Sequence, residues 1–588
     1  MPRTPNYDKF PFVRVSDSDD GCYRGWREIG DALKAAIRLP RSIVCVESYP
    51  GAYVDQIEEA LVQALAPAVI VRAASCLKSP AEIESMLAPY LGGDDPVFGR
   101  MNGLMVTDFL CRDKVSRAQE QIGQVKQGTV LIIGTGASLI APQFDLLVYA
   151  DMARWEIQLR QRRGEIGNLG ANNLQERSGL KYKRAFFVDW RAADRLKKSL
   201  IPKVDFLLDT NESNIPKLIS GSLLRRGLVE TVARPFRVVP YFDPGPWGGH
   251  WMEEVCGLPV SKDKPNHAWC FDCVPEENSL LLGFGDVRVE IPAINLLFSH
   301  PRELLGDAVH ARFGTEFPIR FDFLDTMGGG NLSLQVHPLT EYIQDKFGMN
   351  YTQDESYYLL DAGDDGSVFL GLREDADPGQ IMADLREAQN GGKSFYAERY
   401  VNRFPAKRHD HFLIPAGTIH GSGKEGMVLE ISTTPYIFTF KLWDWGRLGL
   451  DGRPRPIHLD HGEANIQWDR RTDWVSRNLV GQVEQLGSGE CWREERTGLH
   501  EREFIETRRH WFHGSTPHHT NGGVNVLNLV QGEEAIVESP AQSFEPFTVH
   551  YAETFIIPAA VGPYTIRPSG IAEGKECATI KAFVRTRP

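Results

Sequence analysis

The run Asn331-Leu332-Ser333-Leu334-Gln335-Val336-His337-Pro338 alternates apolar and polar side chains. A period of two is that of a β-strand, in which residues two apart face the same side. Gln335 and His337 therefore project together, as two ligands borne on one strand must. Further along, Thr352-Gln353-Asp354-Glu355-Ser356-Tyr357-Tyr358 sets Glu355 at the head of an aromatic strand. Beyond it, Pro415-Ala416-Gly417-Thr418-Ile419-His420 uses proline and glycine to shape a tight turn that presents a histidine. An amide oxygen, two imidazoles and a carboxylate make a ligand set suited to one Zn²⁺. The metal's charge less that of Glu355 leaves about +1, which favours an oxyanion in the substrate and leaves a position open for water or substrate.

The surroundings of these segments are β-rich. After about residue 230 proline and glycine become frequent and short β-branched or aromatic runs dominate. They include Ser367–Leu370, His411–Ile414, Met427–Ile431 and Ile437–Phe440. Such spacing predicts a sandwich or barrel. One helix interrupts it: Asp377 can cap, Pro378 suits the first position, Ile381–Ala388 continues and Gly391 can end it. Phe412–Gly417 and Phe555–Gly562 read as the same strand and turn used twice, which two β-barrels in tandem would explain.

Upstream the texture is different. Ser42–Val46, Val69–Val71, Thr129–Ile133, Phe144–Tyr149 and Ala185–Val188 read as five strands. Helical patterns run from Val54 to Leu65 and from Arg154 to Arg163. Alternating strands and helices predict an α/β sandwich with parallel crossovers. Val44–Tyr53 sits where a phosphate-binding loop would sit, between a first strand and a helix, yet lacks the lysine and flanking glycines of G-x-x-x-x-G-K-[ST]. Thr129–Gly134, Asp145–Asp151 and the arginines Arg160, Arg162 and Arg163 resemble the later part of uridine-kinase-like P-loop domains. The resemblance implies a kinase-like domain without a Walker A motif. A nucleotide or sugar phosphate is the ligand it would sense, and scaffolding is the alternative. Arg154, Arg160, Arg162 and Arg163 also fit the exposed face of a helix.

The chain has 588 residues, 42% hydrophobic and 24% charged, with a formal net charge of −13. That is ordinary globular composition with room for several cores. The acidic balance argues against nucleic acid and anionic membrane surfaces as partners. Met1–Asp8 has no apolar core, no run approaches a membrane span, and nine scattered cysteines point to reduced thiols and a cytoplasmic location. Cys270 and Cys273, the one C-x-x-C pair, read as ordinary thiols. His510, His513, His518 and His519 read as a solvated loop, and His409 and His411 as surface residues or supports behind the ligands.

Leu332-Ser333-Leu334-Gln335-Val336-His337-Pro338 resembles the L-S-x-Q-V-H-P signature of class I mannose-6-phosphate isomerases. Glu355–Tyr358, Ala416–His420, Leu429–Ile431, Trp443–Arg447, Arg455–Leu459 and Pro246–Gly249 follow that family's further tags. The resemblance spans about residues 235 to 588. It implies an all-β tandem cupin (double-stranded β-helix) fold holding one Zn²⁺ by Gln335, His337, Glu355 and His420. It also implies a metal-free second barrel, because the Pro558 turn lacks a counterpart of His420. The domains expected are then 1–225 (kinase-like α/β), 226–485 (metal-binding cupin) and 486–588 (metal-free cupin). The implied activity is interconversion of mannose 6-phosphate and fructose 6-phosphate through a cis-enediol. Ser333, Lys441 and Arg447 would hold the phosphate, and Glu430, Lys441 or metal-bound hydroxide would be the base. Gln353 replaces a family lysine, and Lys441 a family arginine. An isomerase of a free or differently phosphorylated sugar, or a sugar-responsive regulatory protein without turnover, therefore stand as alternatives.

Overall fold

The structure, a computed structural model, describes residues 5–16, 21–141, 143–261, 264–435, 437–498, 500 and 503–586. Met1–Thr4 of the N-terminal stretch considered above lie outside the described residues. Contacts divide the chain into two units. One holds Phe12–Thr231 and Glu277–His300; the other holds Met1–Pro11, Val232–Glu276 and Pro301–Pro588. The division is not a single cut after residue 225. The Tyr7 hydroxyl donates to Asp272, and the Asp8 N–H donates to Glu553 Oε1 at 2.6 Å, both in the β-rich unit. Conversely Ser279–Phe284 and Val287–Pro292 form a three-stranded sheet with Phe12–Arg14 in the α/β unit.

The α/β unit is built on five parallel strands: β1 (Arg41–Ser48), β2 (Val69–Arg72), β3 (Gly128–Gly134), β4 (Leu146–Asp151) and β5 (Phe206–Asp209). Their order is β2-β3-β1-β4-β5, so the first strand lies in the middle. Val44–Val46 and Val130–Ile133 are wholly buried, as strands covered on both faces must be. Lys217–Ser220 and Cys22–Arg24 extend the β5 edge in antiparallel fashion. The expected helices form at Val54–Leu65 and Arg154–Arg162. The expected strand at Ala185–Val188 does not form. That run lies in a π-helical turn, Ala185–Asp189, between helices Ser178–Arg184 and Trp190–Leu200. A continuous apolar run carries no period that separates a buried strand from a buried helix, and here no turn residue breaks it from its helical flanks.

The other unit carries two barrels. The first uses β6 (Tyr241–Asp243), β7 (Trp269–Cys273), β8 (Ile319–Asp325), β9 (Leu334–Val336), β10 (Glu355–Ala362), β11 (Ser367–Leu372), β12 (Val401–Pro405), β13 (His411–Ile414), β14 (His420–Ser422), β15 (Gly426–Thr433) and β16 (Phe440–Trp443). Its sheets run β13-β10-β15-β8-β7-β6 and β12-β11-β14-β9-β16. The second uses β17 (Glu484–Ser488), β18 (Trp492–Gly498), β19 (Ile505–Phe512), β20 (Thr516–His519), β21 (Asn525–Gln531), β22 (Glu534–Glu538), β23 (Phe547–His550), β24 (Thr554–Ile557), β25 (Pro563–Pro568) and β26 (Cys577–Val584). Its sheets run β24-β21-β26-β19-β18-β17 and β23-β22-β25-β20. Apart from β16, the two barrels share one strand order, with β13 and β24 as equivalent edges. The strand and turn read twice in the sequence is that edge.

Each barrel has its own apolar core. Trp247, Leu324, Tyr357, Phe412 and Ile414 pack in the first; Phe512, Leu527, Phe555, Ile557 and Ile566 pack in the second. Burying each such side chain stabilises by about 1.5–3 kcal/mol. The interrupting helix is Pro378–Gln389, with Asp377 accepting the Gln380 N–H at 2.8 Å. The run at Ile437 becomes strand only from Phe440. His510 and His518 correct the solvated-loop reading: they lie on β19 and β20 and are 2% and 7% exposed. Gly514 lies in the short connection between β19 and β20, and Pro517 lies within β20, an edge strand that tolerates it. His411 is also buried on β13, while His409 precedes it in a left-handed turn at φ 71.

Candidate metal centre

Three strands bring the predicted ligands together. β9 carries Gln335 and leads into His337; β14 opens with His420 and pairs in register Gln335 with His420; β10 opens with Glu355. Alternation along β9 puts Gln335 and His337 on one side, and the turn Pro415–Ile419 delivers His420 to the same place. His337, Glu355 and His420 are 1%, 0% and 0% exposed. Glu355 Oε2 lies 3.0 Å from His337 Nε2, and Glu355 Oε1 lies 2.8 Å from His420 Nε2. The two imidazole centroids are 4.9 Å apart. The Gln335 amide nitrogen is 3.2 Å from His420 Nε2, and its oxygen accepts from the Ser333 hydroxyl at 3.0 Å.

The second ring nitrogens decide what these imidazoles can do. His337 Nδ1 is 3.1 Å from the Phe438 carbonyl, and His420 Nδ1 is 2.8 Å from that of Thr418. A carbonyl only accepts, so each Nδ1 carries the hydrogen and each Nε2 keeps its lone pair for the centre of the cluster. His337 Nε2 and Glu355 Oε1 have no hydrogen-bond partner among the described residues, though both are buried. Buried orphans of this kind are costly unless something binds them. Converging lone pairs and a carboxylate fit a divalent cation. Burial opposes ionisation of Glu355, and positive charge on the His337 and His420 rings holds its carboxyl well below the usual range; with both Nε2 atoms unprotonated, a bound cation would take over that role.

The remaining predicted residues form two groups. Glu430 is buried behind the ligands: Gln353 Nε2 donates to Glu355 Oε2 at 3.0 Å and to Glu430 Oε1 at 3.2 Å. Arg320 Nη2 donates to Glu430 Oε1 at 2.5 Å while also gripping Asp322. Burial pushes Glu430 well above the usual carboxylate range; Arg320 opposes this, and Asp322 and Glu355 reinforce it. Lys441 sits opposite Gln335 in register, half-buried. Burial pulls its ammonium down to about 8, with Arg455 adding to the effect and Asp444 opposing it. Arg447 belongs to the second group. It donates to Asp444 Oδ1 from Nε at 3.0 Å and Nη2 at 2.7 Å, while Arg455 takes Asp444 Oδ2 at 2.6 Å. Both guanidiniums lie over Trp247. Gln353, Arg320 and Arg455 are the residues that sequence reasoning left without a role. The alternation Arg320-x-Asp322 on a strand was the one signal available for the second.

In the α/β unit the carboxyl ends of β1 and β4, where an open sheet binds ligands, are filled by the chain itself. Lys197 Nζ is 2.7 Å from Asp151 Oδ1, with both side chains at most 1% exposed. Arg154 pairs with Asp194, which also accepts from the Tyr49 hydroxyl at 2.8 Å. Arg160 Nη1 and Nη2 donate to the carbonyls of Gly51 at 3.0 Å and Thr210 at 2.7 Å. Arg154 and Arg160 are 2% and 1% exposed, which corrects the exposed-face reading: distant acceptors, not water, satisfy them.

Comparisons with known proteins find two kinds of relative. Residues 25–233 match a family model described as "Domain of unknown function (DUF8485)". A mannose-6-phosphate isomerase of Streptococcus mutans is 25% identical over 214 residues, 36% of this chain and 62% of that protein. Mannose-6-phosphate isomerase ManA of Bacillus subtilis is 25% identical over 230 residues, 38% of this chain and 65% of that protein. The chain thus spans under two thirds of the length of these curated relatives. The crystal structure of the mannose 6-phosphate isomerase from Bacillus subtilis aligns with 59% of this chain and 99% of its own, at 18% identity and a TM-score of 0.48. The chain is therefore similar to mannose-6-phosphate isomerases over part of its length, and to a family of unknown function over residues 25–233.

Proposed function

We propose that the chain is an aldose–ketose isomerase that interconverts mannose 6-phosphate and fructose 6-phosphate with one Zn²⁺. The observation that carries this is the convergence of His337 Nε2, His420 Nε2 and Glu355, with both Nδ1 hydrogens turned onto backbone carbonyls. The similarity to enzymes described as mannose-6-phosphate isomerases supports the reaction. Bound zinc supplies Lewis-acid polarisation of the substrate oxygens.

The chain's own groups do the rest. Lys441, with its ammonium drawn down to about 8, is partly neutral near physiological pH. Its Nζ accepts the proton from C2 of the sugar and returns it to C1, while the proton of the C2 hydroxyl passes to the C1 oxygen. Glu430, tied to Arg320 and Gln353, holds Glu355 in place rather than meeting the substrate. Ser333 orients the Gln335 amide. Arg447 offers the phosphate a cation whose fork is already shared with Asp444. That sharing, with Gln353 in place of a lysine, favours a second reading: turnover of a free or differently phosphorylated sugar. The α/β unit is read as kinase-derived and without phosphoryl transfer. The central first strand and the chain-filled strand ends support this, and scaffolding is its role. Nine free thiols suit a reducing cytoplasm.

The test is turnover of a panel of sugars and sugar phosphates by zinc-loaded protein, before and after chelation. Activity on mannose 6-phosphate that disappears with the metal and returns on reloading supports the proposal. An inert zinc-loaded sample across the panel removes it.

A further inference from the structure

The interior of the second barrel repeats the first with its charges exchanged. The register gives the correspondence. Glu355 pairs with Ile414 just before Pro415, and Asn525 pairs with Ile557 just before Pro558. On the next strand Glu355 faces Ser432 and Asn525 faces Phe583. Glu430, two residues before Ser432, then corresponds to Lys581, two before Phe583. Glu430 faces Asp322, and Lys581 faces Arg508. Arg320 likewise corresponds to Glu506. Three carboxylates and one guanidinium in the first barrel are thus replaced by two cations, one carboxylate and an amide. The first set suits a metal cation; the second does not.

These residues line open space. Arg508 and Lys581 border two overlapping cavities of about 890 and 280 Å³. The smaller is also lined by Glu494, His510 and His518. Along both walls the charged side chains are Arg496, Arg508, Lys581 and Arg585, against Glu484, Glu494 and Glu506. Arg496 pairs with Glu484, and Arg508 with Glu506 at 2.6 Å and Glu494 at 3.1 Å. Arg585 stands 3.5 Å from Glu506, and His510 Nε2 is 3.0 Å from Glu494. Lys581, 6% exposed, keeps the loosest of these pairings, 4.0 Å from Glu494. His518 stacks on Tyr564 with centroids 5.0 Å apart and touches His510. Neither of its ring nitrogens has a hydrogen-bond partner among the described residues. A buried cation with a slack partner and an imidazole with no hydrogen-bond partner, side by side on a polar cavity, are donors short of an acceptor.

We propose that the second barrel binds a small oxyanion, orthophosphate or the phosphate group of a monoester, between Lys581, Arg508 and His518. The site is distinct from the metal centre and does not depend on the activity proposed for it. Such a ligand restores full pairing to Lys581 and gives the ring N–H of His518 an acceptor.

The experiment is a calorimetric titration of the full chain with orthophosphate at constant ionic strength, repeated with glucose 6-phosphate. It is run on the natural protein and on Lys441→Met, His518→Phe and Lys581→Met. The expected result is saturable binding that survives Lys441→Met and weakens at least tenfold, about 1.4 kcal/mol, in His518→Phe and Lys581→Met. Tighter binding of glucose 6-phosphate than of orthophosphate identifies a monoester as the ligand; the reverse identifies the free ion. Because Lys581→Met can disturb the barrel, protection of Lys581 from reductive methylation by phosphate is measured on the natural protein. Absence of saturable binding, binding lost only in Lys441→Met, or unchanged methylation of Lys581 overturns the proposal.

Discussion

Glu355 Oε1 stands 2.8 Å from His420 Nε2 with both side chains sealed from solvent. A carboxylate and an imidazole lone pair at that separation repel unless a proton or a cation lies between them. The arrangement is therefore stable only when filled.

Zinc is expected to stabilise the barrel unit accordingly. A ligand held at a thousand times its dissociation constant adds about 4 kcal/mol, roughly 10 °C in a domain of this size. Differential scanning fluorimetry with and without zinc checks it. Glu355→Gln, which keeps the shape and removes the charge, is expected to abolish the shift; a shift of equal size in that variant contradicts the ligand assignment.

Gln353 links Glu355 to Glu430 through one amide nitrogen. Gln353→Leu leaves two buried carboxylate oxygens short of a donor. The expected cost is about 1–3 kcal/mol of stability and roughly 10–100-fold in metal affinity. Urea melting of metal-free protein and competition against a zinc dye measure the two effects separately.

Lys581 gives a pH signature. Burial pulls its folded ammonium down to about 8, Arg508 adding and Glu494 and Glu506 opposing. The unfolded chain holds that proton to about pH 10.4. Between these values the unfolded state binds more protons, so stability rises with pH and the penalty is complete below 8. In phosphate-free buffer at pH 7, Lys581→Met is therefore expected to be more stable than the natural chain by up to about 3 kcal/mol. The advantage fades by pH 10.5. Denaturant midpoints across pH 7 to 10.5 test this, and a constant difference rules it out.

Asp151 and Lys197 form a buried pair in the α/β unit. Asp151→Ala strands a buried ammonium and is expected to cost about 3–5 kcal/mol. Hydrogen exchange confined to β1 and β4 reads the loss locally. The pair of changes Asp151→Leu and Lys197→Met is expected to recover most of it.

The convergence of His337 and His420 was legible because alternation and turn chemistry are local: Gln335-x-His337 needs only its own strand, and His420 only its Pro-Gly turn. The cap at Asp377 was legible for the same reason. What failed was non-local. Arg154 and Arg160 look like a solvated helix face until Asp194 and the carbonyls of Gly51 and Thr210 are brought to them. The link from Arg320 to Glu430 joins residues 110 apart, and only sheet register creates it. His510 and His518 were hidden by Gly514, in the short connection between their strands, and by Pro517, which only an edge strand such as β20 tolerates. Ala185–Val188 failed because an unbroken apolar run fits both a strand and a helix.

The chain passes from one unit to the other four times, after Pro11, Thr231, Glu276 and His300. No single nick can release either unit intact. A fragment begun at residue 226 sheds Tyr7 and Asp8 from their partners Asp272 and Glu553, and it carries two strands whose sheet mate Phe12–Arg14 has been left behind. A truncation at that seam breaks both units at once. Each unit is thus assembled from separate stretches of the chain, and neither can be made from one unbroken segment.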